Sequence, residues 1–278
     1  MNGVRARPLT RGLLWSLLTA TVVLYALPFV YLLITSFKPP TETRAIPPTV
    51  LPTYWTVVNY VTVWHQHGVP ASFINSLSTA GLSALLSLGL GIPAAYAVTR
   101  FKTRLGSAFL MLALVVRMVP PVAIGIPLVS TINALRLLDT PLGLALAHTT
   151  ISLPLSIWLM SSFFEAIPDE LDEAAKCDGC THLGALWRVV LPVAKGGIAV
   201  TALFAFLASW NEFLFSLLLT SVRAQTTPLA IANLQTQFGL DWGSMTALAC
   251  LYSIPVILLT LVLQRHVVAG LTLGAVKG

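Results

Sequence analysis

The segment LGLALAHTTISLPLSIWLMSSFF, residues 142–164, contains 23 residues and no Asp, Glu, Lys or Arg. A helix needs roughly 20 predominantly apolar residues to cross a bilayer core about 30 Å thick. Segment 142–164 is therefore long enough and apolar enough to span a membrane. Five further segments are comparably long and apolar, with at most one charged residue each: residues 12–36, 74–98, 107–130, 196–219 and 244–264.

The composition of the whole chain agrees with these segments. Of its 278 residues 56% are hydrophobic and 9% are charged, whereas soluble domains carry about 25% charged residues. In lipid every backbone polar group must be hydrogen-bonded within the protein, so continuous apolar runs indicate helices, and the strands of a β-barrel would alternate instead. We therefore predict an all-α polytopic membrane protein with six transmembrane helices in a single domain over residues 1–278.

Basic residues are distributed unevenly across the predicted membrane. Eleven of the 16 lie on the same side as the two chain ends, four lie on the other side, and Arg117 lies within a span. Because Lys and Arg concentrate in cytoplasmic loops, this pattern predicts that both termini are cytoplasmic. The net charge of +6 thus follows from membrane topology, and we expect no nucleic-acid partner.

The cytoplasmic segment 165–195 holds six of the ten acidic residues of the chain. Pro168 followed by acids predicts the start of a short helix. Gly179 is expected to end that helix with a positive φ, and Thr181 to cap a second helix that stops at Pro192. We expect one apolar face on the second helix, at i, i+3, i+4 and i+7 spacing. Its members are Leu183, Leu186, Trp187 and Val190.

A motif runs through the same segment: Glu173-Ala174-Ala175, Asp178-Gly179 and Leu191-Pro192. These residues resemble the EAA loop of permease subunits in bacterial ATP-binding-cassette importers. Two positions depart from the usual pattern, with Cys180 in place of alanine and Gly196 in place of a frequent proline. The resemblance implies a type I importer permease core whose coupling helices dock on an ATPase. The expected coupling residues are Glu173, Ala174, Ala175, Asp178, Gly179, Leu183, Leu186, Trp187, Val190 and Pro192.

Further motifs are similar to those of carbohydrate importers. They are Asn75-Ser76, Met118 with Pro120, Ile126-Pro127, Trp210-Asn211-Glu212-Phe213, Asp241-Trp242-Gly243 and the tail from Gln264 to Gly278. The tail resembles the second permease subunit of maltose-type systems. This resemblance implies a multi-pass protein of the bacterial cytoplasmic (inner) membrane that forms half of a sugar pore and works by alternating access. The implied partners are a homologous second permease, an ATPase dimer that carries ATP and Mg²⁺, an extracellular or periplasmic sugar-binding protein, and membrane lipid.

The sequence predicts that this chain is not itself an enzyme. It contains no G-x-x-x-x-G-K-[ST] phosphate loop and no Gly-Lys dipeptide, so we expect another chain to bind ATP. Cys177 and Cys180 have the spacing of half a metal site, but no second pair follows. We therefore expect neither a metal nor a cofactor in this chain.

The only charged residues inside the predicted spans are Arg117 and Glu212. Because a lone charge in hydrocarbon costs about 2.5–3.5 kcal/mol on insertion scales, each should face protein or water. We expect Glu212 and Asn211 to face the sugar pathway, together with Asn75 and Arg117. Arg117 could pair with Glu212 or with a carboxylate of the companion permease, and a purely structural pair is the alternative. His148 is expected to be alone in span four, hydrogen-bonded between helices.

Small residues recur every four positions in span two, at Ser83, Ser87, Gly91 and Ala95. Such a face allows another helix to approach closely. Three other functions remain open from sequence: a secondary transporter or channel that does not use ATP, an ATP-driven importer of a non-sugar solute such as glycerol phosphate, and a non-transporting assembly or signalling subunit. A secondary transporter would favour internal repeats or a relay of membrane carboxylates, and only Glu212 is available.

Overall fold

A computed structural model describes residues 8–65, 68–236 and 239–273. The chain is mostly helical. The helices are α1 Pro8–Ser36, α2 Val58–His65, α3 Val69–Phe101, α4 Arg104–Val116, α5 Pro121–Ala134, α6 Pro141–Glu165, α7 Glu170–Cys177, α8 His182–Ala185, α9 Leu191–Val193, α10 Lys195–Trp210, α11 Leu214–Leu219, α12 Thr227–Ala232 and α13 Trp242–Leu273. A π-helical turn, Leu186–Val190, joins α8 to α9. Two short antiparallel strands, β1 Gln235–Thr236 and β2 Gly239–Leu240, precede α13. Arg5, Arg7 and residues 274–278, which contribute to the sequence predictions, lie outside the described residues.

Four helices in the described part of the chain are long and apolar enough to cross a membrane: α1 over Gly12–Ser36, α3, α6, and α13 over Trp242–Gln264. Two bent helix pairs raise the number to six if each pair is one span. The first pair is α4 and α5, which meet at 100°, and the second is His182–Val193 with α10, at 85°.

Two predicted spans are interrupted instead of continuous. Segment 107–130 breaks between Val116 and Pro121, where the adjacent Pro120 and Pro121 lack the N–H groups that would continue the helix. Segment 196–219 breaks between Trp210 and Leu214. Here the Glu212 side chain accepts a hydrogen bond from the Phe215 N–H at 2.9 Å and so begins a new helix.

The described residues fall into two compact units. The smaller one contains α1, α2 and the start of α13, within residues 1–66 and 233–253. There the Asn59 amide donates to the carbonyls of Ser36 and Lys38 at 2.9 and 2.7 Å. A Cβ added at Gly243 would lie 2.6 Å from Asn59 Oδ1. Only glycine therefore fits position 243 without a shift of the buried asparagine.

The larger unit, within residues 67–232 and 254–278, is built on the mutual packing of α3, α6 and α10. The small-residue face of α3 meets α6. Ser87 and Ser83 hydroxyls lie 2.6 and 3.2 Å from that of Ser152, and a Cβ on Gly91 would lie 3.3 Å from Ser156 Cβ. The predicted close-approach face is confirmed.

Candidate functional site

The loop between α6 and α10 contains two helical segments that bend about Gly179. The φ of Gly179 is +84°, as predicted. Its N–H donates to Lys176 O at 2.9 Å and the Cys180 N–H donates to Ala175 O at 3.0 Å, which is the Schellman pattern that ends a helix. A Cβ on Gly179 would have open space around it. The backbone conformation, and not a neighbouring atom, therefore favours glycine.

Beyond the bend, Thr181 caps the second segment as predicted: its Oγ1 accepts the Gly184 N–H at 3.2 Å. The helix then widens to a π turn, in which the Leu191 N–H donates to Leu186 O, five residues earlier. Pro192 has no N–H to donate to Arg188 O, yet it lies within α9, so the helix continues to Val193 and does not stop at Pro192 as predicted. One extra residue in the turn changes the direction of the side chains that follow.

The prediction that these four apolar residues form a single exposed face is wrong. Leu183 and Trp187 are 62% and 65% exposed, whereas Leu186 and Val190 are 1% and 0% exposed. The two buried residues pack in a core with Tyr96, because the α3–α6 layer covers that side of the helix. Hydrophobic periodicity shows that the four residues are spaced to share a helix face. It does not show which of them pack against other helices of the same chain.

The remaining predicted coupling residues lie mostly on the accessible side of this loop. Ala175 is buried. The exposed members are Glu173, Ala174, Asp178, Gly179 and Pro192. We call these five residues, together with Leu183 and Trp187, the coupling surface. No group of three metal-ligating side chains is found in the parts of the chain that the structure describes.

A buried polar cluster lies where α10 gives way to α11. The Nε2 of His148 lies 3.2 Å from Glu212 Oε2, and its Nδ1 lies 2.6 Å from Ser209 Oγ. The Ser209 contact is a hydrogen bond, whereas His148 Nε2 approaches Glu212 Oε2 without hydrogen-bond alignment. His148 does hydrogen-bond between helices, as predicted, but it is not alone. The partner of Glu212 is His148 and not Arg117.

Arg117 and Asn75 have other surroundings. Arg117 is exposed at the α4–α5 bend and lines a cavity of about 510 Å³ whose wall is mainly apolar. Asn75 donates to the carbonyls of Arg223 and Gln225 at 2.8 and 3.0 Å. Asn211 is exposed and donates to Leu207 O at 3.1 Å. Among the described residues, no hydrogen bond or ion pair joins any two of the four pathway candidates.

Asp139, in the α5–α6 connection, is a residue that sequence reasoning missed. Its carboxylate accepts the backbone N–H groups of residues 221–224 at 3.0–3.3 Å. Burial alone would raise the pKa of Asp139, but the N–H donors of Ala224, Arg223 and Ser221 outweigh it and hold the pKa well below its ordinary value. The available signal was that Asp139 is the only acidic residue between Glu42 and Glu165.

Comparison with known proteins gives three results. The family described as binding-protein-dependent transport system inner membrane component matches residues 87–272. The chain is 37% identical over 275 residues to the trehalose transport system permease protein SugB of Mycobacterium tuberculosis (strain CDC 1551 / Oshkosh), covering 96% of this chain and 98% of that one. It is 36% identical over 271 residues to the probable ABC transporter permease protein y4oR of Sinorhizobium fredii (strain NBRC 101917 / NGR234), covering 96% of each.

A solved structure shares the fold. A chain of a bacterial ABC transporter involved in the import of the acidic polysaccharide alginate superposes with a TM-score of 0.76, at 23% identity, over 95% of this chain and 99% of that one. The family match covers two thirds of the sequence and the relatives span nearly all of it. The chain therefore belongs to the inner membrane components of binding-protein-dependent transport systems, the permeases of ATP-binding-cassette importers.

Proposed function

We propose that this chain is one of two permease subunits of an ATP-driven sugar importer. It forms half of the translocation pore and couples that pore to a separate ATPase by alternating access. The observation that carries the proposal is the coupling surface. Within a family of importer permeases, an exposed tryptophan on a short bent helix pair, connected directly to α6 and α10, is suited to receive a partner.

The topology that goes with this function has six spans and both termini in the cytoplasm. In it α4 and α5 form one bent span. The other bent span is α10 with α11, in place of the pairing of His182–Val193 with α10, because His182–Val193 belongs to the cytoplasmic coupling loop at 165–195. Residues 1–278 form one permease domain. The uneven distribution of basic residues supports this orientation. The protein then lies in the bacterial inner membrane, in contact with lipid.

The partners follow from the division of labour. A phosphate-loop motif does not occur in the sequence, so ATP and Mg²⁺ belong to a dimeric ATPase that docks on the coupling surface. A homologous permease supplies the other half of the pore, and an extracellular or periplasmic binding protein delivers the solute.

The proposed solute is a sugar, and two observations support this class. A relative that matches nearly the whole chain is named for trehalose. Asn211 and Glu212 place an amide and a carboxylate, groups that hydrogen-bond hydroxyls, at the break in an apolar span. Trehalose and maltose are the first sugars to test, by thermal shift of the cognate binding protein and then by uptake.

Removal of the exposed indole tests the docking surface. Trp187→Ala should weaken binding of the ATPase to the purified permease pair, because buried aromatic anchors dominate interfaces. Trp15→Ala is a matched control, since Trp15 in α1 is 67% exposed against 65% for Trp187 and lies in the first span. Equal ATPase binding and equal sugar-stimulated hydrolysis by Trp187→Ala and the unaltered protein would remove the coupling surface from the mechanism.

A further inference from the structure

The first helix of the coupling loop is held from the side by span two. Tyr96 O–H donates to Asp172 Oδ1 at 2.5 Å, and Arg100 Nε lies 2.7 Å from Asp172 Oδ2. Arg100 also contacts Asp169 Oδ1 at 2.6 Å through one terminal nitrogen and donates to Ile167 O at 3.2 Å through the other. We call Tyr96, Arg100, Asp169 and Asp172 the α3–α7 clamp.

Burial distinguishes the clamp from an ordinary surface ion pair. The side chains of Arg100 and Asp172 are 7% and 4% exposed, and Tyr96 is buried. Two of the three guanidinium nitrogens of Arg100 donate hydrogen bonds, to Asp169 Oδ1 and Ile167 O. The third, Nε, makes an ion-pair contact with Asp172 Oδ2 without hydrogen-bond alignment, so two carboxylates compensate the buried charge. When one member of such a buried pair is removed, the other is left as an uncompensated buried charge.

The position of the clamp gives it a mechanical role. Arg100 lies in the last turn of α3 and Asp172 in the first turn of α7. The chain itself connects α7 to α6 through residues 166–169. With the clamp, α7 is attached to two of the three helices that form the core of the larger unit, and a displacement of the coupling surface must move α3 as well as α6.

We propose that Tyr96, Arg100 and Asp172 are positioning residues that transmit movement from the docked ATPase to α3. This inference rests on the proposed function and adds the route by which the coupling surface acts on the pore. Asp169 is the outer member of the clamp: it is partly exposed and also contacts Lys102 Nζ at 2.5 Å. The Lys102 contact is solvent-exposed and is expected to contribute little.

The test measures sugar accumulated per ATP hydrolysed, in proteoliposomes that contain the complete assembly. The probe is radiolabelled trehalose or maltose, whichever shifts the melting of the binding protein more. Asp172→Asn and Arg100→Gln should lower this ratio severalfold. The variants that keep the charge, Arg100→Lys and Asp172→Glu, should lower it less. Lys102→Ala is the control and should leave the ratio unchanged. A purely structural role would lower the amount of assembled protein but not the ratio.

Tyr96→Phe guards against variants that fail to reach the membrane. It removes one hydroxyl from the clamp, retains the ring that packs on Phe164, and should still lower the ratio. If the unaltered assembly accumulates sugar with ATP and the ratio is unchanged in assembled Tyr96→Phe and Asp172→Asn, the proposed role of the clamp is wrong but the proposed importer function stands. If the unaltered assembly does not couple hydrolysis to accumulation, the proposed function fails and this inference fails with it.

Discussion

Substitution of Gly179 tests whether the bend of the coupling loop is required for transport. The φ of +84° is a left-handed conformation, which costs an L-residue with a Cβ about 1–2 kcal/mol. A Cβ at this position meets no atom within 4 Å, so backbone strain is the whole expected effect. A penalty of this size reduces the population of the bent loop about 5- to 30-fold relative to unbent alternatives.

Three substitutions separate strain from bulk. Gly179→Val and Gly179→Ala should reduce sugar-stimulated ATP hydrolysis and uptake, with valine the more severe. Gly179→Asn should be close to the unaltered protein, because asparagine visits the left-handed region readily. Gly196→Ala is the matched control: its added Cβ also meets open space, but Gly196 lies within α10, so alanine should be neutral or slightly stabilising there.

The assay compares uptake in proteoliposomes at equal amounts of assembled permease, checked by binding of the ATPase. We expect the order glycine, asparagine, alanine, valine from most to least active. Full uptake by Gly179→Val would refute it, since the bend would then be either unstrained or irrelevant to coupling.

Three further substitutions test the packing, the pathway and the Asp139 contacts. Gly197→Ala would place a Cβ 2.4 Å from Phe163 Cγ and should destabilise the α6–α10 contact by about 1–3 kcal/mol; a thermal melt in detergent that matches that of Gly196→Ala would contradict this. Glu212→Gln should assemble but take up sugar poorly if Glu212 faces the pathway. Loss of assembly that a second change at His148 restores would instead show that the pair is structural. Normal assembly and normal uptake would exclude both roles. Asp139 has a lowered pKa in the folded protein, so its contribution is complete above the ordinary carboxyl pKa of about 4 and is lost as the pH falls below it. Asp139→Asn should therefore lower the melting temperature at pH 7 and flatten its fall toward acid, and the same acid dependence in both proteins would be evidence against the assignment.

Local signals in the sequence predict much of the coupling loop. Gly179 and Thr181 act through hydrogen bonds to residues a few positions away, so their roles can be read from residue type and order. The α3 face of Ser83, Ser87 and Gly91 can also be predicted from sequence, because small residues spaced four apart allow any neighbouring helix to approach closely.

Contacts between distant positions could not be read in this way. The break after Trp210 depends on the Glu212 carboxylate, whose partner His148 lies on another helix. Tyr96 and Asp172 are 76 positions apart, and no periodicity relates them. The spacing of Leu186 and Val190 predicts that they share one apolar face with Leu183 and Trp187, but tertiary packing determines which side of a short helix is buried.

The decisive experiment asks whether sugar accumulation by the assembled importer depends on ATP. Proteoliposomes that contain both permeases, the ATPase dimer and the binding protein are loaded with either Mg-ATP or ADP, and uptake of the labelled sugar is followed over time. We expect accumulation above the external concentration with Mg-ATP inside and none with ADP. Accumulation with ADP, driven by an imposed proton or sodium gradient, would instead identify the protein as a secondary transporter.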